Sequence, residues 1–176
     1  MMYKFTKIIK RFFLPVSLIL VITLSRLIPH PYNFTPVIAA GVFSGFYFRQ
    51  FFLGWFVIIF SMFIGDLLIG FHATMFFTYI ALVVPVALGI FMKRFKFNAI
   101  VVASLVSSIA FFLTTNFGVW LTLDMYEKNF AGLINSYVLA IPFFHNTLIS
   151  TFIYLLLTKV LFDFLNKKKA IKNPIS

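Results

Sequence analysis

Four clusters of basic residues punctuate this chain, and the stretches between them are nearly free of charge. The clusters are Lys4, Lys7, Lys10 and Arg11; Arg49; Lys93, Arg94 and Lys96; and Lys167, Lys168, Lys169 and Lys172. A helix that crosses a bilayer needs about 20 mainly apolar residues at 1.5 Å rise each. The segments between clusters are long enough to cross and return. Lipid offers no partners to open backbone groups, so the pattern reads as an all-α, polytopic membrane helix bundle. A β-barrel would require residue-by-residue alternation of apolar and polar side chains, and the sequence has none.

Composition agrees. The 176 residues are 62% hydrophobic and 11% charged, against roughly 25% charged in soluble globular proteins; the mean hydropathy is +1.04. The net charge of +11 is accounted for by loop lysines that follow the positive-inside bias and attract anionic lipid headgroups. The lipid bilayer is therefore the expected partner, and nucleic acid is not. The absence of cysteine excludes disulfides, thiolate metal sites and cysteine nucleophiles. The basic N-terminus followed by Leu14–Leu24 mimics a secretory signal, but Ser25-Arg26-Leu27-Ile28-Pro29 offers no small-residue cleavage site. A retained first helix is expected.

Six transmembrane helices are predicted within a single integral membrane domain, residues 1–176. They run over about 12–28, 35–48, 51–69, 74–92, 98–120 and 143–165. Pro15 lies in the first turn of the first helix, where a missing N–H costs little. Asn33 or Thr35 is expected to cap the second, with Pro36 in its first turn. Pro85 should kink the fourth. Residues 131–141, before Pro142, form a short re-entrant or interfacial piece. The four clusters hold 12 of the 15 Lys and Arg residues, which places both termini on the cytoplasmic side. Lys159 is four residues before Asp163 and is expected to pair with it.

With that orientation, the polar residues gather at the outer end. Arg26 and His30 close the first helix, Asn33 precedes the second, and Asp66 and His72 lie at the end of the third. Asn116 and Trp120 finish the fifth, Tyr126 sits in the loop with Asp124 and Glu127, and His145 and Asn146 open the sixth. Together Arg26, His30, Asn33, Asp66, His72, Asn116, Trp120, Tyr126, His145 and Asn146 are the candidate lining of a cavity open to the outside. Asn116 and Trp120, four apart, share a helical face and pair an amide with an aromatic wall. Arg26 either snorkels to headgroups or pairs with Asp66. Asp66 caps backbone, pairs or touches ligand. The histidines serve as ligand contacts or as interfacial imidazoles, and Trp120 and Tyr126 as ligand contacts or belt aromatics. No two histidines are spaced i, i+4, so no metal site is expected, nor any cofactor. Ala40, Gly41, Ser44 and Gly45 form a small-residue stripe that serves either internal packing or docking of a partner. No phosphate-cradling glycine loop with its Lys, no Gly-x-Ser-x-Gly elbow and no His-Glu-x-x-His is present, so neither ATP hydrolysis nor another enzymatic activity is expected.

The stretch Ser25-Arg26-Leu27-Ile28-Pro29-His30-Pro31-Tyr32-Asn33-Phe34-Thr35-Pro36 resembles the signature S-R-L-x-P-H-P-x-N-F-T-P of a family of small bacterial membrane proteins of unknown function. Asp66-Leu67-Leu68-Ile69-Gly70-Phe71-His72, Thr115-Asn116-Phe117-Gly118-Val119-Trp120-Leu121 and Ile141-Pro142-Phe143-Phe144-His145-Asn146-Thr147-Leu148 follow in the same order. In size, helix number and outward polar loops that family is similar to the substrate-binding S components of energy-coupling-factor transporters. The resemblance implies a bacterial cytoplasmic membrane protein that binds a vitamin-like micronutrient from outside. A transmembrane coupling protein with two ATPases would be its partner. S components often carry an alanine-rich docking motif in their first helix. Val16–Ile22 has none, which leaves either Ala39, Ala40, Gly41, Ser44 and Gly45 as the substitute or a protein that works alone. A structural or scaffold protein of the cell envelope is the alternative function.

Overall fold

A computed structural model describes the backbone of residues 2–172 and the side chains of residues 13–166. The side chains of the N-terminal cluster (Lys4, Lys7, Lys10, Arg11) and of the C-terminal cluster (Lys167, Lys168, Lys169, Lys172) lie outside the described residues. The chain is all-helical: α1 (Met2–Leu27), α2 (Val37–Phe48), α3 (Phe51–Ile69), α4 (Met75–Ala81), α5 (Val83–Phe91), α6 (Phe97–Thr122), α7 (Phe130–Val138) and α8 (Ile141–Lys172). Among the described residues, three helices are long and apolar enough to cross a membrane: α3, α6 and residues 141–166 of α8. The apolar helices at 13–27, 37–48 and 75–91 are shorter.

The exterior is as apolar as the core, and the core also holds hydroxyls. Phe52 and Phe91 stand about four-fifths exposed, whereas Ser44, Ser61, Ser107, Ser108, Thr151 and Asp66 are buried. An apolar exterior around a small-residue, hydroxyl-bearing interior is the arrangement of a membrane bundle, where lipid solvates the outside and helices close on Ser, Thr and Gly.

The central helix is α2, buried continuously from Val37 to Gly45. Its stripe is used internally. A Cβ at Gly45 would collide with the Val86 carbonyl, and one at Gly89 with the Val42 carbonyl, so α2 and α5 meet backbone to backbone. A Cβ at Gly41 would lie 3.2 Å from the Pro85 ring. Ser44 donates to the Gly41 and Gly54 carbonyls at 2.9 and 3.3 Å. Ala40, Gly41, Ser44 and Gly45 are all buried within the bundle, where the stripe packs against α3 and α5.

Local sequence explains the breaks. Neither Asn33 nor Thr35 caps α2. Asn33 takes the left-handed conformation (φ 62°) in the turn, and Pro36 occupies the N-cap position without a side-chain cap. The span expected at 74–92 is divided at Leu82, three residues before the kink anticipated at Pro85. Proline supplies no N–H to the carbonyl four residues earlier, here Ala81, and the helix tightens there with Leu82 N–H bonding Tyr79 O at 3.3 Å. The segment expected at 131–141 is α7, Phe130–Val138, capped by Asn129, whose Oδ1 accepts from Gly132 N–H at 2.8 Å. α8 starts at Ile141, with Pro142 in its first turn. It runs on to Lys172, seven residues beyond the expected end, and carries the Lys159–Asp163 pair at 2.6 Å.

The connections fall at two ends. At one, Arg49 of the α2–α3 turn donates to the Ile90 carbonyl at 2.7 Å and covers the Phe46 ring at 4.9 Å, a cation closing the C-terminus of α5. Phe95, in the α5–α6 loop, stacks on Phe46 at 4.9 Å and meets Phe162 of α8 edge-on at 6.2 Å. The described basic residues Arg49, Lys93, Arg94 and Lys96 belong to this end. The other end gathers the α1–α2, α3–α4 and α6–α7–α8 connections around a cavity.

Candidate functional site

The cavity has a volume of about 630 Å³, within the range of roughly 300–1,000 Å³ usual for small-molecule sites. At its α1 wall lies Arg26, in the last turn of that helix. The guanidinium is fixed against α3: Nη1 donates to the Met62 carbonyl at 2.8 Å and Nη2 to Asp66 Oδ1 at 2.5 Å. Asp66 is 1% exposed, and its second oxygen accepts the Tyr79 hydroxyl at 2.6 Å. Glycine at position 65 makes the approach possible, because a Cβ there would sit 2.5 Å from Arg26 Nη1. The carboxylate is thus consumed behind the wall and holds the arginine that lines it.

The opposite wall is α6. Phe111, Phe112, Thr115, Asn116 and Val119 line the cavity at the three- and four-residue spacing of one helical face. Asn116 Nδ2 donates one of its two N–H groups to the Phe112 carbonyl at 2.8 Å, and Oδ1 accepts from no donor among the described residues. Thr78 of α4, Thr147 of α8 and Phe143 complete the interior, and His30, Tyr32, Asn33, His72 and Tyr126 surround the mouth. α8 holds this mouth in shape. Asn146 Nδ2 donates to the Tyr32 carbonyl at 3.0 Å, Ser150 Oγ lies 3.4 Å from the Asn33 carbonyl, and Phe143 meets the Tyr32 ring edge-on at 5.8 Å.

Six residues proposed from the sequence line the cavity: Arg26, His30, Asn33, His72, Asn116 and Tyr126. Four do not. Asp66 sits behind Arg26. Asn146 shapes the mouth without facing it. His145 is exposed beside Phe144, their rings 6.4 Å apart. Trp120 donates its indole N–H to the Glu127 carbonyl at 3.0 Å and packs on Phe117, while Lys128 Nζ bonds the Trp120 and Leu123 carbonyls at 2.6 and 2.5 Å. Four residues advance a helix by about 40° beyond a full turn, and that offset carries Trp120 away from the cavity that Asn116 faces. The threonines were missed because a helical Thr most often bonds its own backbone; Thr115 does so, to Phe111 O at 2.8 Å. The α6 stripe of Phe111, Phe112 and Thr115 around Asn116 was the one available signal. No cluster of three or more potential metal ligands occurs among the described residues.

An open cavity lined by apolar and aromatic side chains together with a dozen polar ones can hold a small amphipathic solute. No curated protein and no solved structure matches the chain. The sequence matches a family of unknown function (DUF6580) over residues 6–173, and the chain belongs to that family.

Proposed function

We propose that this protein is the solute-binding membrane component of a bacterial micronutrient importer, taking its ligand from the extracytoplasmic side. In this reading it lies in the cytoplasmic membrane with six spans and both termini inside. The spans are α1, α2, α3, the broken pair α4–α5, α6 and α8, and α7 rests at the outer interface. One observation carries the proposal: the cavity of about 630 Å³ opens at the end of the bundle opposite Arg49, Lys93, Arg94 and Lys96. The positive-inside bias assigns those residues to the cytoplasm, which leaves the cavity facing out. Energy must come from a partner, since no nucleotide-binding motif is present. In this reading a coupling protein with ATPases, of the energy-coupling-factor kind, would supply it.

Native mass spectrometry of gently purified protein tests the reading. A bound metabolite is expected, and adding it back to the emptied protein should stabilise by about 2.7 kcal/mol at a hundredfold excess over Kd. Recovery of stoichiometric protein partners with no small molecule would replace this reading with that of an envelope scaffold.

A further inference from the structure

The charge lining the cavity has one sign. Its ionisable lining comprises Arg26, His30, Tyr32, His72 and Tyr126, and among the described residues no carboxylate lines it. Asp66 is buried with both oxygens engaged by Arg26 and Tyr79, and Asp124 and Glu127, in the loop that carries the lining residues Leu123, Met125 and Tyr126, are engaged by Lys128 and Asn129 rather than lining the cavity. Arg26 has five N–H donors, of which two are used, one on Met62 O and one on Asp66 Oδ1. Its side chain retains 14% exposure. A guanidinium clamped from behind, with N–H groups left over, is a preorganised donor to a planar anion: it need not be ordered when the ligand arrives. Phe111, Phe112 and Phe143 offer aromatic surface in the same cavity.

We propose that the ligand is a small aromatic carboxylate whose acid group docks on the free edge of Arg26 and whose ring lies among these phenylalanines. This rests on the solute-binding reading above and narrows it to one charge class. A neutral or cationic solute would leave the leftover N–H groups without a strong acceptor.

The test is thermal denaturation of the purified full chain with aromatic acids and their own amides: nicotinate with nicotinamide, indole-3-acetate with indole-3-acetamide, 4-aminobenzoate with 4-aminobenzamide. In at least one pair the acid should act at a concentration roughly 10- to 100-fold below its amide, the range of a hydrogen bond to a charged group. That preference should fall to about unity in the Arg26→Gln/Asp66→Asn double variant, which removes both charges so that no buried carboxylate is stranded. If that variant does not accumulate, Arg26→Lys keeps the ion pair and should lose most of the preference with the planar fork. Amides as effective as acids would overturn the carboxylate assignment while leaving solute binding intact. Stabilisation by phosphatidylglycerol but by no free acid would overturn it in favour of a lipid headgroup. Stabilisation by no probe of any kind would remove the inference together with the reading beneath it.

Discussion

Replacing Arg26 by alanine strands the Asp66 carboxylate, and the structure sets how much that costs. Asp66 is 1% exposed and would keep only the Tyr79 hydroxyl at 2.6 Å. Removing one partner of a buried ion pair leaves an uncompensated charge, at about 3–5 kcal/mol. The converse change is milder. In Asp66→Ala, Arg26 keeps the Met62 carbonyl at 2.8 Å and its exposure to the cavity, so the loss is that of a charged hydrogen bond, about 1.5–3 kcal/mol. In the double variant no charge is stranded, and its loss should fall short of the summed single losses by about 2–3 kcal/mol. Reversible unfolding of all four proteins in mixed micelles measures the cycle. Single losses that add to within about 0.5 kcal/mol would show that the two groups do not interact, and Arg26 would lose its anchor.

Two further perturbations separate packing from binding. Gly45→Ala and Gly89→Ala each drive a Cβ into a carbonyl of the facing helix and should cost about 1–3 kcal/mol as overpacking; Gly41→Ala, which meets only the Pro85 ring at 3.2 Å, should cost less, and thermal melts rank the three. Asn146→Ala removes the hydrogen bond to Tyr32 O and should cost about 1 kcal/mol while weakening ligand-induced stabilisation; unchanged affinity in that variant would mean the mouth does not depend on α8.

The membrane class was legible in the sequence because it depends on composition and on the spacing of charges. α3 and α6 could be placed because long apolar runs end at Arg49-Gln50, Gly70 and the polar stretch after Trp120. The break at Leu82 was one turn out, since a proline signals a missing hydrogen bond but not where the helix yields. The Arg26–Asp66 pair was one of the alternatives open in the sequence, because a deep carboxylate requires a cation and Arg26 and Lys128 are the two at that end. Tyr79 could not, because nothing local marks a tyrosine whose partner is 13 residues away. Trp120, His145 and Asn146 show the general limit. Their position along the membrane was readable, but which way each faces depends on helix rotation and on the loops they fasten.

The central claim is that a water-accessible cavity opens on the side of the membrane away from the basic loops. With no native cysteine in the chain, a single thiol reports on it cleanly. Asn116→Cys, within the cavity lining, should react with a membrane-impermeant thiol reagent applied to intact cells, and Lys96→Cys should react only after the cells are opened. The reverse pattern, with Lys96→Cys labelled in intact cells and Asn116→Cys protected, would contradict the orientation and the site together.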